Sequence, residues 1–217
     1  MYLFIFTGNR AIILADSLTR SFAPIIEADV ITRPGASPAK LLDFLKQKPG
    51  LLANYSVIVL HVGTTWLSAK EEWALYLRQV NGNISQDEYN NALKSMNPPP
   101  AVGPATTFRE EYSSLITHIR SINDTAIILV SSIIPRPWDH GRRHLVRVSY
   151  NNLLQKFNEP SEGIFFIHSY KPFIRPPKTL KGHLFNPDGI HLSQHGSAVL
   201  RSYFCEKIDK AKRGRLK

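Results

Sequence analysis

The sequence has a single cysteine, Cys205, among 217 residues. One thiol excludes an internal disulfide and a cysteine-based zinc cluster, so the fold must be held by packing alone. No apolar run approaches the roughly 20 residues needed to cross a bilayer. The apolar opening run has no basic residue before it and is interrupted at Arg10, which argues against a signal peptide. These absences predict a protein without a transmembrane segment, cytoplasmic or nuclear rather than secreted.

Acidic residues are also few, since 17 Asp and Glu stand against 27 Lys and Arg and give a formal net charge of +10. Half of this excess lies in residues 201–217, which contain seven Lys or Arg and two Asp or Glu. Such a run is either a solvated helix end or a contact for nucleic acid or acidic lipid. No aromatic residues interleave the basic tail at 206–217 in the manner of a base-stacking surface, and both alternatives stay open. The candidate contacts are Lys210, Lys212, Arg213, Arg215 and Lys217.

Hydrophobic residues make up 43% of the chain, a share that suits one α/β domain over residues 1–217. Short, continuously apolar runs predict strands that are covered on both faces, and longer mixed stretches between them predict helices. This alternation predicts a three-layer α/β/α sandwich around a parallel sheet. The polar stretch 68–106 is predicted to be an insertion or lid. The predicted strands are 11–15, 28–32, 56–62, 126–134 and 163–168, and the predicted helices are 37–48, 107–121, 143–157 and 194–211.

Candidate site residues follow the predicted strands. In such folds, the loops at the carboxyl ends of the parallel strands carry the active site. Ser17 follows the first strand, Gly35 the second and Gly63 the third. Asp188 and His191 are three residues apart, a spacing that lets a carboxylate hold one imidazole nitrogen while the other faces a cleft. The plainer alternative is that Ser17 caps a helix and that Asp188 belongs to a common Asp-Gly turn.

The segments "ADSLTR", "RPGAS", "HVGTTW" and "DGIHLSQHG" together resemble four sequence blocks of the SGNH (GDSL-type) hydrolases. The resemblance implies a flavodoxin-like fold with a five-stranded sheet and hydrolysis of small acyl or acetyl esters without cofactor or metal. It implies that Ser17 is the nucleophile, His191 its general base and Asp188 the group that orients His191. The oxyanion hole would be formed by Ser17, Gly35 and Thr65.

Two positions depart from the pattern of that family. Ala15 stands where the first block usually has glycine, a change that the end of a strand should tolerate. Thr65 stands where the third block usually has asparagine, whose side-chain N–H binds the oxyanion. Because loss of one such donor typically costs ~10²–10³ in rate, the sequence predicts a weakened oxyanion hole.

A finer resemblance connects "TRPGAS", "LHVGT", "SSIIPRP" and "NPDGIHLSQHG" to the esterase-type domain of metazoan retroelement proteins, including first-open-reading-frame proteins of LINE retrotransposons. It implies an alternative function, a catalytically weak or inactive hydrolase-like module that binds nucleic acid within a retroelement-type assembly. The implied partners are a small acyl ester, nucleic acid at the basic tail, and a longer polypeptide or assembly that includes this chain. The sequence has no zinc knuckle, RRM signature or sustained heptad of its own.

Further candidates lie on the predicted loops at the site. Trp66, Trp138 and Arg136 are predicted to contact substrate, with packing as the alternative role of the tryptophans. His140 and His144 are four residues apart but lack a third ligand, so a basic loop is predicted there and no metal site. The basic loop also contains Arg142, Arg143 and Arg147, which either bind an acidic group or face water.

Overall fold

Five apolar strands form one parallel sheet in the order β2-β1-β3-β4-β5. In the computed structural model, which describes residues 10–26, 28–67, 70–96, 105–139, 142–176 and 179–216, each predicted strand is present within two or three residues. This order is that of flavodoxin-like folds, and the predicted five-stranded sheet is confirmed. The strands are β1 (Arg10–Ala15), β2 (Ala28–Thr32), β3 (Tyr55–His61), β4 (Ile127–Ser131) and β5 (Ile164–Ile167). The opening segment, in which no signal peptide is predicted, lies outside the described residues.

Alternate residues of the strands point into two separate hydrophobic clusters, as the pleat of a sheet requires. Ile12 and Leu14 pack with α1, α4 and α5, whereas Ala11 and Ile13 on the same strand pack with α6. Helices therefore cover both faces, and the predicted three-layer sandwich is confirmed. The helices are α1 (Pro38–Lys46), α2 (Lys70–Val80), α3 (Gln86–Ser95), α4 (Ala105–Ile122), α5 (Arg142–Gln155) and α6 (Gln194–Lys212).

The segment predicted to be an insertion contains two helices, α2 and α3, that the sequence analysis did not predict. A capping box begins α3, because the Ser85 hydroxyl accepts from the Glu88 amide while the Glu88 carboxylate accepts from the Ser85 amide. Residues 68–69 and 97–104 of this segment lie outside the described residues. A small hairpin, β6 (Ile174–Arg175) with β7 (Thr179–Leu180), was likewise not predicted.

The last helix extends into the segment predicted to be a basic tail. Ile208 and Ala211 are buried in the hydrophobic cluster between α6 and the sheet, so the first part of 206–217 belongs to the core. Only the residues after Lys212 extend beyond the helix. In the described part of the chain, no helix is both long and apolar enough to cross a membrane.

Candidate active site

The loop before α6 holds the Asp188–His191 pair in a closed turn. An isolated bridge between Phe185 and Leu192 closes its base, and the Asn186 amide donates to the His191 carbonyl at 2.8 Å. Gly189 has φ +66°, a conformation that side chains with a Cβ rarely adopt. The sequence Asn-Pro-Asp-Gly thus forms a tight turn that presents the aspartate and the histidine on the same side.

The Asp188 carboxylate makes three hydrogen bonds within its own turn. Its Oδ1 accepts from the amides of Ile190 and His191, both at 2.9 Å, and its Oδ2 lies 2.7 Å from His191 Nδ1. Burial alone would raise the pKa of Asp188, but the bonds from the His191 ring and the two amides outweigh it and lower that pKa. An ionised carboxylate only accepts, so Nδ1 of His191 carries a proton and donates. The neutral imidazole therefore keeps Nε2 free to accept a proton, which is the arrangement that a general base needs.

Ser17 begins a short 3-10 turn, Ser17–Thr19, at the end of β1. The residue before it, Asp16, caps the turn by accepting from the Leu18 amide at 3.1 Å. Ser17 is therefore not the capping residue, and the alternative role that the sequence analysis allowed for it falls to Asp16. The Ser17 side chain is partly exposed, while Leu18 and Thr19 beside it are buried.

The Ser17 turn and the His191 loop lie on the same face of the sheet, the face that α6 covers. Leu18, which follows Ser17, and Leu192, which follows His191, are buried in one hydrophobic cluster with α6. Among the hydrogen bonds of the described residues, none joins Ser17 to His191. The pair Asp188–His191 is therefore assembled, and the completion of a triad by Ser17 is a proposal taken up below.

Two backbone N–H groups at the site are unoccupied. Ser17 and Gly35 donate no hydrogen bond among those of the described residues, whereas their neighbours Leu18 and Ala36 donate to Asp16 and Arg33. Gly35 has φ +68° and lies in the turn between β2 and α1. Both amides therefore lack a partner within the described residues, and their role in an oxyanion hole is a proposal taken up below.

Thr65 lies beside this turn, but its hydroxyl is engaged elsewhere. Thr65 Oγ1 donates to the carbonyl of Ala36 at 3.3 Å. This bond ties the loop after β3 to the Gly35 turn. A hydroxyl has one proton to donate, so in this arrangement Thr65 offers none to a substrate oxygen.

Helix α2 contacts the Asp188 turn directly. Trp73 Nε1 donates to the Asp188 carbonyl at 2.9 Å, and the ring of Tyr76 would lie 2.5 Å from a Cβ on Gly189. Burial, and secondarily the Asp188 charge, raises the pKa of Tyr76. Neither Trp73 nor Tyr76 is among the candidate residues named from the sequence. Their spacing of three residues places them on one face of a helix, a signal that would have become informative once α2 was recognised.

The predicted substrate residues differ in placement. Arg136 is 2% exposed, and its guanidinium donates to the Asp139 carboxylate and to the Leu67 carbonyl. It also stacks on the Trp138 ring, 4.0 Å from the centroid. Trp138 is buried and lies close to Gly189, so it packs between Arg136 and the Asp188 turn. The side chain of Trp66 lies outside the described part of the structure.

A buried polar network beneath the Ser17 turn was missed by the sequence analysis. His61 Nδ1 lies 2.8 Å from Ser131 Oγ, which in turn lies 2.6 Å from Ser169 Oγ. Burial lowers the pKa of His61, although the charge of Asp16 opposes this shift. Strand runs such as "VIVLH" and "ILVSS" read as core, so only the polar last residue of each pointed to these contacts.

Among the remaining candidates, two basic residues near the end of α6 have acidic partners. Lys210 pairs with Glu206 at 2.6 Å and Arg213 with Asp209 at 2.9 Å, each one helical turn away. Arg215 is exposed, Lys212 is half-buried, and Lys217 lies outside the described residues. His140 and the side chains of Arg142 and Arg143 also lie outside them. Within the described ranges, no three His, Cys, Asp or Glu side chains form a group that could hold a metal ion.

No family profile and no curated protein sequence matches the chain. Among solved structures, a GDSL-like lipase from Bacteroides thetaiotaomicron aligns with a TM-score of 0.61 and 13% identity, over 97% of this chain and 93% of that one. A lipase/acylhydrolase from Enterococcus faecalis aligns with a TM-score of 0.58 and 19% identity, over 96% of this chain and 97% of that one. The esterase domain of the ZfL2-1 ORF1 protein from a zebrafish retrotransposon aligns with a TM-score of 0.41 and 19% identity, over 92% of this chain and 98% of that one.

The chain therefore has the fold of the GDSL-type lipases and acylhydrolases. This confirms, at the level of the fold, the resemblance to SGNH hydrolases on which the sequence analysis relied.

Proposed function

We propose that the protein is a serine ester hydrolase that acts on small acyl or acetyl esters through Ser17, His191 and Asp188. The observation that carries this proposal is the Asp188–His191 pair. The Asp188 carboxylate, which also accepts from two backbone amides, lies 2.7 Å from His191 Nδ1 and leaves Nε2 of the ring free. A carboxylate that holds one imidazole nitrogen and leaves the other free is the arrangement that a triad base requires, and this supports the assignment of His191.

In the proposed reaction, Nε2 of His191 takes the hydroxyl proton as Ser17 Oγ attacks the ester carbonyl. Asp188 keeps the imidazole in the required orientation and stabilises its protonated form. His191 then gives the proton to the departing alkoxide, which leaves as an alcohol. Water, deprotonated by His191, attacks the acyl-serine and releases the carboxylic acid and free Ser17.

The negative charge on the tetrahedral intermediate would be bound by two backbone amides. The free N–H groups of Ser17 and Gly35 support this role, and the bond from Thr65 to Ala36 withholds a third donor. A hole with two donors lowers the barrier less than one with three, and this predicts slow turnover.

Fluorophosphonate labelling followed by intact mass measurement tests the proposal. An activated serine forms one covalent adduct, so the wild-type chain should gain one label and Ser17→Ala none. Ser85→Ala is the matched control, since Ser85 is an exposed serine that caps a helix. A full adduct on folded Ser17→Ala would refute the assignment of the nucleophile.

A second candidate function is a weakly active module that binds nucleic acid. Net charge and the engaged Thr65 hydroxyl favour it, and Arg215 beyond the end of α6 is an exposed cation available for a phosphate. Against it, Lys210 and Arg213 already have acidic partners. The two functions are compatible, because the basic end of α6 and the Asp188 loop are different parts of the surface.

Salt dependence tests this second function. Each phosphate neutralised on single-stranded RNA contributes roughly −0.7 to the slope of log affinity against log salt. Replacing Arg215 and Lys217, which follow α6 in the sequence, by serine should therefore flatten the slope by about 1.4 if each contacts one phosphate. Replacing Lys46 and Lys48, two exposed lysines at the end of α1, is the control of equal charge. An equal effect of both pairs would show that only net charge acts.

A further inference from the structure

A cavity of about 450 Å³ lies between α5, β5, the loop after β4 and the β6–β7 hairpin. None of its lining residues belongs to the Ser17 turn, the Gly35 turn or the Asp188 loop. Arg136 lines the cavity and stacks on Trp138, which lies close to Gly189. The cavity and the ester site are thus separated by these two buried side chains.

One wall of the cavity is aromatic. Phe166, His168 and Tyr170 alternate along β5 and its extension, so they share one face of the chain while Ile167 and Ser169 point into the core. Their rings contact edge to face, with centroids 4.9 Å apart for Phe166–His168 and 5.7 Å for His168–Tyr170. Val148, Ile174 and Leu180 also line the cavity and add apolar surface.

The other wall contains a buried cation that shares one carboxylate with a second arginine. Arg147 is 6% exposed, and Asp139 is the acidic residue that lines the cavity with it. Asp139 Oδ1 accepts from the Arg136 guanidinium at 3.1 and 3.2 Å. Asp139 Oδ2 accepts from the Arg136 backbone amide at 3.0 Å and forms an ion pair with Arg147 Nε at 3.5 Å, without a hydrogen bond. The bond that Arg147 does make, at 2.9 Å, is to His144 Nδ1, a neutral acceptor.

Two buried arginines share one carboxylate, which leaves a positive charge in excess, and the looser contact is that of Arg147. Arg136 is balanced by Asp139 and, more weakly, by Asp16. Burial lowers the pKa of Arg147, Asp139 offsets this in part, and Arg136 adds repulsion. A guanidinium stays protonated even so, and a buried charge without a full partner costs free energy that an anion would return.

We infer that this cavity binds a small amphipathic anion, a carboxylate or phosphate group on an aromatic or aliphatic body, with the anionic group at Arg147 and the body against the Phe166–Tyr170 wall. The cavity volume suits a molecule of this size. Asn152 and Gln155 on the exposed rim are neutral, so they add no charge that would oppose an anion. This inference does not rest on the proposed ester hydrolysis.

Titration calorimetry with phenyl phosphate and with phenylacetate tests the inference, and benzyl alcohol and inorganic phosphate are the comparisons. We expect at least one aromatic anion to bind about tenfold or more tightly than benzyl alcohol, because Arg147 attracts only the charged probe. The two anions distinguish a phosphate from a carboxylate ligand. Inorganic phosphate should bind more weakly than phenyl phosphate, since it leaves the aromatic wall uncovered.

Variants locate the binding. Arg147→Gln should weaken it about tenfold or more, whereas Arg109→Gln, which removes an exposed arginine on α4, should not change it. Gln155 is exposed on the rim, so its replacements spare the buried bonds of Arg147. Gln155→Lys should strengthen binding and Gln155→Glu weaken it, each by about fivefold.

Three results would overturn the inference: no binding of either aromatic anion, equal binding of benzyl alcohol, or binding that is insensitive to the Gln155 charge. If Arg147→Gln fails to fold, the Gln155 pair decides the outcome. Labelling of Ser17 by a fluorophosphonate is unaffected by any of these results, so this inference and the proposed function fail separately.

Discussion

Thr65 is the position at which structure and kinetics can be compared most directly. Its hydroxyl donates to the Ala36 carbonyl at 3.3 Å, so it should contribute nothing to the transition state. Thr65→Val removes the hydroxyl and keeps the shape of the side chain. We expect this variant to keep kcat within about twofold and to lose about 1 kcal/mol of stability, the usual worth of one hydrogen bond.

Thr65→Asn should act in the opposite direction, because it introduces an amide N–H at the position where the SGNH pattern that the sequence resembles has asparagine. Deleting such a donor typically costs about 2.7–4 kcal/mol of transition-state stabilisation. The gain should be smaller than this, because the loop around position 65 is not arranged for asparagine. The lost bond to Ala36, worth about 1 kcal/mol, should lower stability and not kcat. We therefore expect a gain of about 1.4 kcal/mol, which is about tenfold.

The assay is steady-state hydrolysis of p-nitrophenyl acetate, with active sites counted by the fluorophosphonate label and folding checked by thermal melting. The gain should appear in kcat, since the contact forms with the developing charge. A hundredfold loss in folded Thr65→Val would refute the reasoning, because it would show that the hydroxyl does reach the oxyanion. A lower kcat in folded Thr65→Asn would show that another donor already fills the hole.

Three further predictions follow from the site and its supports. Acidification should lower kcat/KM, because a protonated His191 cannot accept the serine proton, and His191→Ala should abolish turnover; a flat pH profile would contradict this. The pKa of Asp188 is lower in the folded protein than in the unfolded chain, so its ionised carboxylate stabilises the fold. This stabilisation is fully present above the unfolded pKa of about 3.9 and is lost as the pH falls through the folded pKa. Asp188→Asn should therefore melt with less dependence on pH than wild type between about pH 5 and 2, and equal slopes would refute the shift. Gly196→Ala should destabilise by about 3 kcal/mol in urea, since a Cβ there would lie 1.9 Å from the Leu184 carbonyl oxygen, whereas exposed Gly182→Ala should change stability by about 0.5 kcal/mol or less.

The sheet could be predicted because strands buried on both faces are nearly continuous runs of Val, Ile and Leu. Ile12, Ile58 and Ile128 occupy equivalent positions on three neighbouring strands, and each is completely buried. The Asp188–His191 pair could also be predicted, because both groups lie in one short turn, where spacing alone sets their distance.

Contacts between distant segments could not be predicted in the same way. The bond from Thr65 to Ala36 and that from Trp73 to Asp188 join residues 29 and 115 positions apart, and neither leaves a periodic pattern in the sequence. Arg136 shows the same limit, since an arginine in a loop reads as exposed until Asp139 and the Leu67 carbonyl are placed around it. Local spacing therefore predicted the contact between Asp188 and His191 but not the distant contacts that support their turn.

The contact between α2 and the Asp188 turn has a consequence for heat inactivation. Trp73 and Tyr76 contact that turn from α2, which belongs to a polar segment in which few of the described residues are buried. Segments of this kind open at lower free energy than the core of a domain. Warming should thus release the turn, and with it the orientation of His191, while the sheet is still intact. Enzymatic activity should then disappear several degrees below the melting temperature of the β-sheet signal.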